Sequence, residues 1–214
     1  MKYYLILQYP YEHIEIALCS KGKVEHTIQE NKVQAVKLTI PHIDNLLKKQ
    51  NVSLQDLSCI AVNTGPGPYN TLRALITTVN GIHFVTKTPL ISASALDLLL
   101  AKQTQPSLAI LNAFAKHVFY AFKTSYSNEH GYCSIEDLIQ KINSQKESLT
   151  LLGNGAKMYQ QQLLAETKNI IFPQEAPLFS SIESLAEYTY NQLQQKQTEP
   201  SYLMPRYLQS PAIK

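Results

Sequence analysis

Apolar and polar residues alternate along the first part of the chain, which is typical of β-strands. The pattern predicts three antiparallel strands, at residues 2–9, 11–20 and 24–28. A Lys-Gly-Lys turn joins the second strand to the third. Residues 33–50 change to a helical period, and their apolar stripe is wider than packing on one sheet requires. Pro41 lies within this helix and either kinks it or begins its second half.

Further strands and helices are predicted along the rest of the chain. The remaining strands are predicted at residues 59–62, 89–92, 107–112, 117–123 and 149–152. The remaining helices are predicted at residues 71–85, 96–102 and 155–166, after Ser134, and from about residue 180 to 195. Capping boxes of the form Ser-x-x-Asp/Glu mark helix starts at Ser94, Ser134 and Ser180. This order predicts an α/β protein of two related lobes with mixed sheets.

A Thr-Gln-Pro sequence at residues 104–106 is the best candidate for a boundary between the lobes. It divides the chain into an N-terminal lobe, residues 1–105, and a C-terminal lobe, residues 106–214. Three prolines in residues 199–211 predict an extended tail.

The composition allows a core but favours a partner. Hydrophobic residues make up 44% of the 214 residues and charged residues only 16%, so there is less solvated surface than a domain of this size usually has. No apolar run is long enough for a membrane span, and the start does not resemble a signal peptide. Cys19, Cys59 and Cys133 are odd in number and far apart, which indicates a reducing, cytoplasmic setting.

The charges argue against direct nucleic-acid binding. The chain has 19 basic and 16 acidic residues, which give a net charge of +3. Arg73 and Arg206 are the only arginines, and the lysines are scattered rather than gathered on one basic face.

The residues offer few candidates for catalysis. The loop Gly65-Pro66-Gly67-Pro68 stands between a strand and a helix, where phosphate groups bind, but its two prolines remove amide donors. A rigid turn is the favoured interpretation. No histidine or cysteine spacing predicts a metal site, and no nucleophile motif is present. The four aspartates fall at helix, cap or loop positions, which are Asp44, Asp56, Asp97 and Asp137.

Residues 59–73, CIAVNTGPGPYNTLR, resemble the signature of the TsaB family, once called YeaZ. The identities that carry the resemblance are Gly65, Pro66, Gly67, Leu72 and Arg73. Five more segments are similar to the family and follow its order, at residues 38–47, 89–96, 112–121, 153–159 and 205–211. The resemblance thus extends over most of the chain.

This resemblance implies an actin-like, sugar-kinase-like fold and a non-catalytic subunit without a cofactor. Family members pair with the catalytic paralogue TsaD and with the small ATPase TsaE. TsaD transfers threonylcarbamoyl to the adenosine beside the anticodon, so this chain would meet tRNA only through the complex. The first two long helices would form the interface, or a homodimer when the chain is alone. The expected interface residues are Val36, Ile40, Ile43, Leu47, Leu72, Ile76 and Val79.

The chain also departs from the family pattern at several motif positions. Gln8 stands in the segment where the family has Asp-Thr-Ser, a relic of a phosphate-binding loop. The other departures are at Ala35, Thr71, Asn112 and Phe114. They imply a divergent member that is less able to hold Mg·ATP. Two alternatives stay open, an active ATPase or small-molecule kinase of the same superfamily and an independent RNA-binding module.

Overall fold

The computed structural model describes residues 2–198 and 201–208, and the chain divides into two compact units. One unit contains the chain up to Ala95 together with Ser181–Arg206, and the other contains Leu96–Ser180. This division differs from the predicted lobes of residues 1–105 and 106–214. The last long helix returns to the first unit because it packs against the strands of that unit's sheet.

The first unit is built on a five-stranded mixed sheet in the order β3-β2-β1-β4-β5. Its strands are β1 (Tyr3–Gln8), β2 (His13–Ser20), β3 (Lys23–Asn31), β4 (Ile60–Asn63) and β5 (Leu90–Ala93). The first three are antiparallel, as predicted, whereas β4 and β5 run parallel to β1. Lys21 and Gly22 both have positive φ angles and make the tight turn between β2 and β3.

Helices cover both faces of this sheet. Helices α1 (Lys32–Lys49) and α2 (Tyr69–Thr86) share one apolar core with Leu5 and Leu7 of β1. On the other face lies α7 (Ile182–Gln194), where the Tyr4 hydroxyl donates to the carbonyl of Ala186 at 2.9 Å. Successive side chains of a strand point to opposite faces, so every residue of β1 after Tyr3 is buried.

The start of α1 is fixed by Asn31, whose side chain accepts hydrogen bonds from the backbone amides of Val33 and Gln34. The helix then continues through Pro41 to Lys49. A 3₁₀ turn (Leu54–Asp56) follows before β4.

The second unit repeats this plan with the sheet order β10-β9-β6-β7-β8. Its strands are β6 (Ser107–Asn112), β7 (His117–Lys123), β8 (His130–Ser134), β9 (Leu149–Leu152) and β10 (Ile170–Ile171). In each sheet three antiparallel strands are followed by two parallel ones. The α/β class with two mixed sheets, predicted from the sequence, is confirmed.

Shorter helices complete the second unit. They are α3 (Ala95–Leu100), α4 (Ile135–Asn143), α5 (Asn154–Met158) and α6 (Gln160–Glu166). The single helix predicted over residues 155–166 is broken at Tyr159, whose ψ of 17° is outside the helical range. The predicted cap of α4 is confirmed, because Ser134 Oγ accepts from the amide of Asp137 at 3.0 Å.

The predicted capping box at Ser180 is wrong by one residue. Ser181 is the cap of α7, and its Oγ accepts from the amide of Ser184 at 3.2 Å. The closing residues 201–208 contain neither helix nor strand. Glu199, Pro200 and residues 209–211 of the predicted tail lie outside the described residues. In the described part of the chain, no helix is both long enough and apolar enough to cross a membrane.

Candidate functional site

The loop between β4 and α2 is a tight structural turn. Gly65 has a φ of 98°, a left-handed conformation that favours glycine, and a Cβ built there would lie 2.8 Å from Leu72 Cδ2. Its amide donates to Asn63 Oδ1 at 3.0 Å, and its carbonyl accepts from the amide of Ala95 at 2.8 Å. The first bond uses an amide donor of the kind that a phosphate would need, and both bonds fix the backbone of the loop, which supports the interpretation as a rigid turn.

A buried polar network connects the ends of four neighbouring strands beside this loop. Gln8 of β1 is fully buried, and its Nε2 donates to the Glu15 carboxylate of β2. The other Glu15 oxygen accepts from Gln29 Nε2 at 2.7 Å and lies 3.1 Å from His13 Nε2. Asn63 Nδ2 donates to Gln8 Oε1 at 3.4 Å, which extends the network to β4.

This network changes the chemistry expected at the end of β1. A neutral amide, Gln8, occupies the position that the sequence resemblance gives to an acidic residue. The one carboxylate beside it, Glu15, is buried and accepts bonds from two glutamine amides. Buried polar groups of this kind hold strands together when their bonds are satisfied. The arrangement therefore fits a structural role for the strand ends.

Five of the seven expected interface residues are buried within the first unit instead. Ile43, Leu47, Leu72, Ile76 and Val79 are at most 6% exposed and all belong to the core shared with β1. These five side chains belong to the chain's own core, contrary to the expectation of an exposed partner surface. The wide stripe of α1 is explained by two neighbours within the chain, because α1 contacts β2 and β3 on one side and α2 on another.

The two remaining residues, Val36 and Ile40, are exposed at 57% and 62%. Val33 precedes them on the same side of α1, because residues three and four apart share a helix face. Helix α2 also exposes Tyr69, Phe84 and Val85. We call these six residues the helical apolar surface. Only Val36 and Ile40 of them were predicted from the sequence, although the spacing of Val33, Val36 and Ile40 was a signal for the rest of the α1 stripe.

Most of the family motif serves the fold, and one of its residues reaches the surface. Gly65, Pro66 and Leu72 are buried, and Gly67 is partly exposed, with open space around the position of a Cβ. Arg73 is exposed on α2. Its guanidinium lies 4.9 Å from the centre of the Tyr69 ring, and Nη1 donates to the Tyr69 hydroxyl at 3.1 Å.

The predicted positions of the aspartates are confirmed. Asp44 lies in α1 and pairs with Lys48. The Asp56 carboxylate accepts a hydrogen bond from the amide of Ser53, the residue before the 3₁₀ turn. Asp97 lies in α3 beside His130, and Asp137 lies in the first turn of α4. Each is bonded to another side chain of its own unit.

Within residues 2–198 and 201–208, no three histidine, cysteine or acidic side chains come together as metal ligands. The three cysteines are free in the structure. Burial raises the pKa of Cys59 to about 12 and that of Cys133 to about 11, so both stay as thiols near neutral pH. Neither cysteine is therefore suited to act as a nucleophile.

Comparison with known proteins gives relatives over nearly the whole chain. Residues 32–212 match the family model for TsaD, tRNA N6-adenosine threonylcarbamoyltransferase. A relative in Buchnera aphidicola subsp. Baizongia pistaciae (strain Bp) is named tRNA threonylcarbamoyladenosine biosynthesis protein TsaB. It is 26% identical over 210 residues, which cover 90% of this chain and 91% of the relative.

Two solved structures with a similar fold come from Pseudomonas aeruginosa. One, described as YeaZ, aligns with a TM-score of 0.73 at 18% identity and covers 97% of this chain and all of that one. Another, an uncharacterized protein with similarity to peptidase YEAZ, aligns with a TM-score of 0.75 at 18% identity over 98% of this chain and all of that one. Both have the same fold as this chain, with two mixed sheets, which agrees with the fold class that the sequence predicted. The chain belongs to the family of TsaD-type tRNA N6-adenosine threonylcarbamoyltransferase domains and, within it, to the TsaB (YeaZ) members.

Proposed function

We propose that this chain is a non-catalytic subunit in tRNA threonylcarbamoyladenosine biosynthesis. In this proposal it binds a TsaD-type threonylcarbamoyl transferase through the helical apolar surface and meets tRNA only through that complex. A TsaE-like ATPase is the second expected partner. Family membership and the name of the curated relative support the pathway. The surface itself supports the mode of action.

The observation that carries the proposal is the exposure of large apolar side chains on two helices that contact each other. Val33 is 85% exposed, Phe84 74% and Val85 77%. Single exposed apolar residues are ordinary. Several of them on two helices that contact each other support an interface on these helices. A helical face of this kind suits a helical partner, since aromatic and aliphatic residues dominate the buried centre of protein interfaces.

The strand end of the first unit gives the second argument, because its polar groups are already bonded within the fold. The strand end carries the Gln8 amide, and the loop amide of Gly65 is bonded to Asn63. A subunit with such a site acts by binding and positioning the partner. Without the partner, the same surface would be free to bind a second copy of the chain.

Reconstitution tests the proposal. The chain, the TsaD-type and TsaE-like proteins of the same genome, tRNA and threonylcarbamoyl-adenylate are combined, and the modified adenosine is measured by mass spectrometry. Modification is expected to need both this chain and the TsaD-type protein, and to be absent with this chain alone. Equal modification when this chain is omitted would contradict the proposal.

One observation favours a second candidate, an ATPase of the same superfamily. Glu15 is a buried carboxylate next to Gln8 and could replace the missing acidic residue as a ligand for magnesium. Calorimetry of the purified chain with Mg·ATP distinguishes the two functions. A dissociation constant below about 1 mM that is lost in Glu15→Gln would support the ATPase. The absence of binding is expected for the partner subunit.

A further inference from the structure

The closing segment, residues 201–206, is attached to the side of α2. The Leu203 side chain is 2% exposed and belongs to the core that includes Leu72 and Val79. The Asn80 side chain bonds both backbone groups of Leu203, at 2.9 Å to the carbonyl and 2.8 Å to the amide. The amide of Arg206 donates to the carbonyl of Thr64 at 2.9 Å. The segment thus runs from the middle of α2 back to the loop that precedes it.

The anchored segment presents its other side chains to solvent. Tyr202 is 59% exposed and Met204 61%, on either side of the buried Leu203, and Arg206 is also exposed. Backbone bonds at Leu203 and Arg206 hold the backbone of the segment in place before any partner arrives, which lowers the backbone entropy lost on binding.

These side chains continue the exposed side of α2. Thr77 and Phe84 lie three and four residues from Asn80 on the helix, so they share its side, and both are exposed. At the other end of the segment, the backbone of Arg206 is bonded to the loop that precedes α2. That loop leads into the N-terminal end of α2, which contains Tyr69 and Arg73. The segment and α2 therefore form one surface rather than two separate patches.

The charge of this surface identifies the kind of partner. Arg73 and Arg206 are the only arginines of the chain, and both are exposed at the same end of α2. Neither α2 nor residues 201–206 contain an aspartate or glutamate. A complementary surface has carboxylates opposite the arginines and an apolar centre opposite Tyr202, Met204 and Phe84. Arg73, Arg206 and Lys87, whose ammonium lies 4.9 Å from the centre of the Phe84 ring, are too few cations for tight RNA binding. Tyrosine, methionine and arginine are enriched at protein interfaces.

We propose that residues 201–206 are part of the partner-binding surface, and that they bind an apolar helix of the TsaD-type protein flanked by carboxylates. This inference rests on the proposed function and extends it, because the interface then has a third element besides α1 and α2. Tyr202 and Met204 pack on the apolar side of the partner helix, and Arg206 pairs with its acidic side.

The test is a calorimetric titration of the TsaD-type protein with wild type and with Tyr202→Ser/Met204→Ser. The double variant is expected to bind at least about tenfold more weakly, as for residues at the centre of an interface. Its melting temperature stays near that of wild type because both side chains are exposed. The matched control is Tyr126→Ser/Leu164→Ser, which changes two exposed apolar side chains of the second unit and is expected to leave binding unchanged.

Two further measurements support the same test. Arg206→Ala is expected to weaken binding and to reduce its dependence on salt. Hydrogen exchange of wild type is expected to slow at residues 202–206 when the partner is added, which needs no variant.

Three results would overturn the inference. If Tyr202→Ser/Met204→Ser binds like wild type while Val36→Asp/Ile40→Asp does not bind, the segment is outside the interface and the proposed function stands. If wild type itself does not bind, both proposals fail. If wild type alone binds tRNA, and Arg206→Ala weakens that binding and lowers its salt dependence, the surface binds RNA and not a protein partner.

Discussion

Asn80 and Leu203 form two reciprocal hydrogen bonds, from Asn80 Nδ2 to the Leu203 carbonyl and from the Leu203 amide to Asn80 Oδ1. A side-chain amide has an NH₂ donor and a carbonyl acceptor, as a backbone peptide group has. The Asn80 amide therefore satisfies both backbone groups of Leu203, as a neighbouring β-strand would. The pair fixes a segment without regular structure to a helix 123 residues away in sequence. Residues 201–206 are therefore a structural part of the first unit.

Leu203→Ala is expected to lower the free energy of unfolding by about 2–4 kcal/mol, because it leaves a cavity in a closed core. Urea unfolding followed by circular dichroism measures the change. Tyr202→Ala is the control, since this exposed neighbour is expected to change stability by less than about 0.5 kcal/mol. Equal effects of the two variants would show that Leu203 is not anchored.

Gly65→Ala and Gly67→Ala form a matched pair within one loop. Gly65 has a positive φ, and a Cβ there would meet Leu72 at 2.8 Å, whereas a Cβ at Gly67 would meet nothing within 4 Å. The first variant is expected to lose about 1–3 kcal/mol of stability. The second is expected to stay near wild type in the same thermal unfolding experiment. The opposite order would contradict the conformation described for the loop.

The thiols are expected to react slowly with an alkylating reagent at mildly alkaline pH. The thiolate is the reactive form, and burial raises the pKa of Cys59 to about 12 and of Cys133 to about 11. Mass spectrometry over time should show Cys133, which is partly exposed, modified before Cys19 and Cys59. All three should react at once in urea. Fast modification of Cys59 in the native protein would be inconsistent with its burial.

Glu129 gives the second unit a pH-dependent contribution to stability. The Tyr120 hydroxyl donates to it at 2.6 Å and Lys141 Nζ at 3.0 Å, and these bonds lower the pKa of Glu129 from its ordinary value. Because the folded pKa is the lower one, the contribution is present at neutral pH. It is lost as the pH falls through the folded pKa.

Thermal unfolding of wild type and Glu129→Gln between neutral pH and about pH 3 checks this. The melting temperature of wild type should exceed that of the variant at neutral pH, and the difference should shrink at the acidic end. If the difference in melting temperature between wild type and Glu129→Gln grew on acidification, the pKa of Glu129 would be raised in the folded protein and not lowered. Lys146→Gln, which leaves this pair intact, serves as the control for a general charge effect.

The sequence predicted elements well where a pattern depends on neighbours along the chain. β6 and β9 have the predicted bounds, and Ser134 caps α4 as its capping box indicated. The sequence did not predict elements whose formation depends on residues far away along the chain. Strand β8 is polar and exists because it pairs with β7, and β10 has only two residues.

The candidate site shows the same limit. Val36 and Ile43 are both apolar residues of α1, and only the packing of α2 and the sheet makes one exposed and the other buried. Ile43→Asp is accordingly expected to unfold the first unit rather than to remove a contact with a partner. The link from Gln8 to Glu15 depends on the register of β1 and β2, which pairs these two residues directly. No local pattern encodes the anchoring of Leu203.

The most direct measurement is a calorimetric titration of the TsaD-type protein of the same genome with wild type, Val36→Asp/Ile40→Asp and Leu164→Asp. Wild type and Leu164→Asp, a change at a similarly exposed residue of the second unit, are expected to bind one to one. The Val36→Asp/Ile40→Asp variant, with unchanged circular dichroism, should show no binding. Binding of this folded double variant at wild-type affinity would contradict the account.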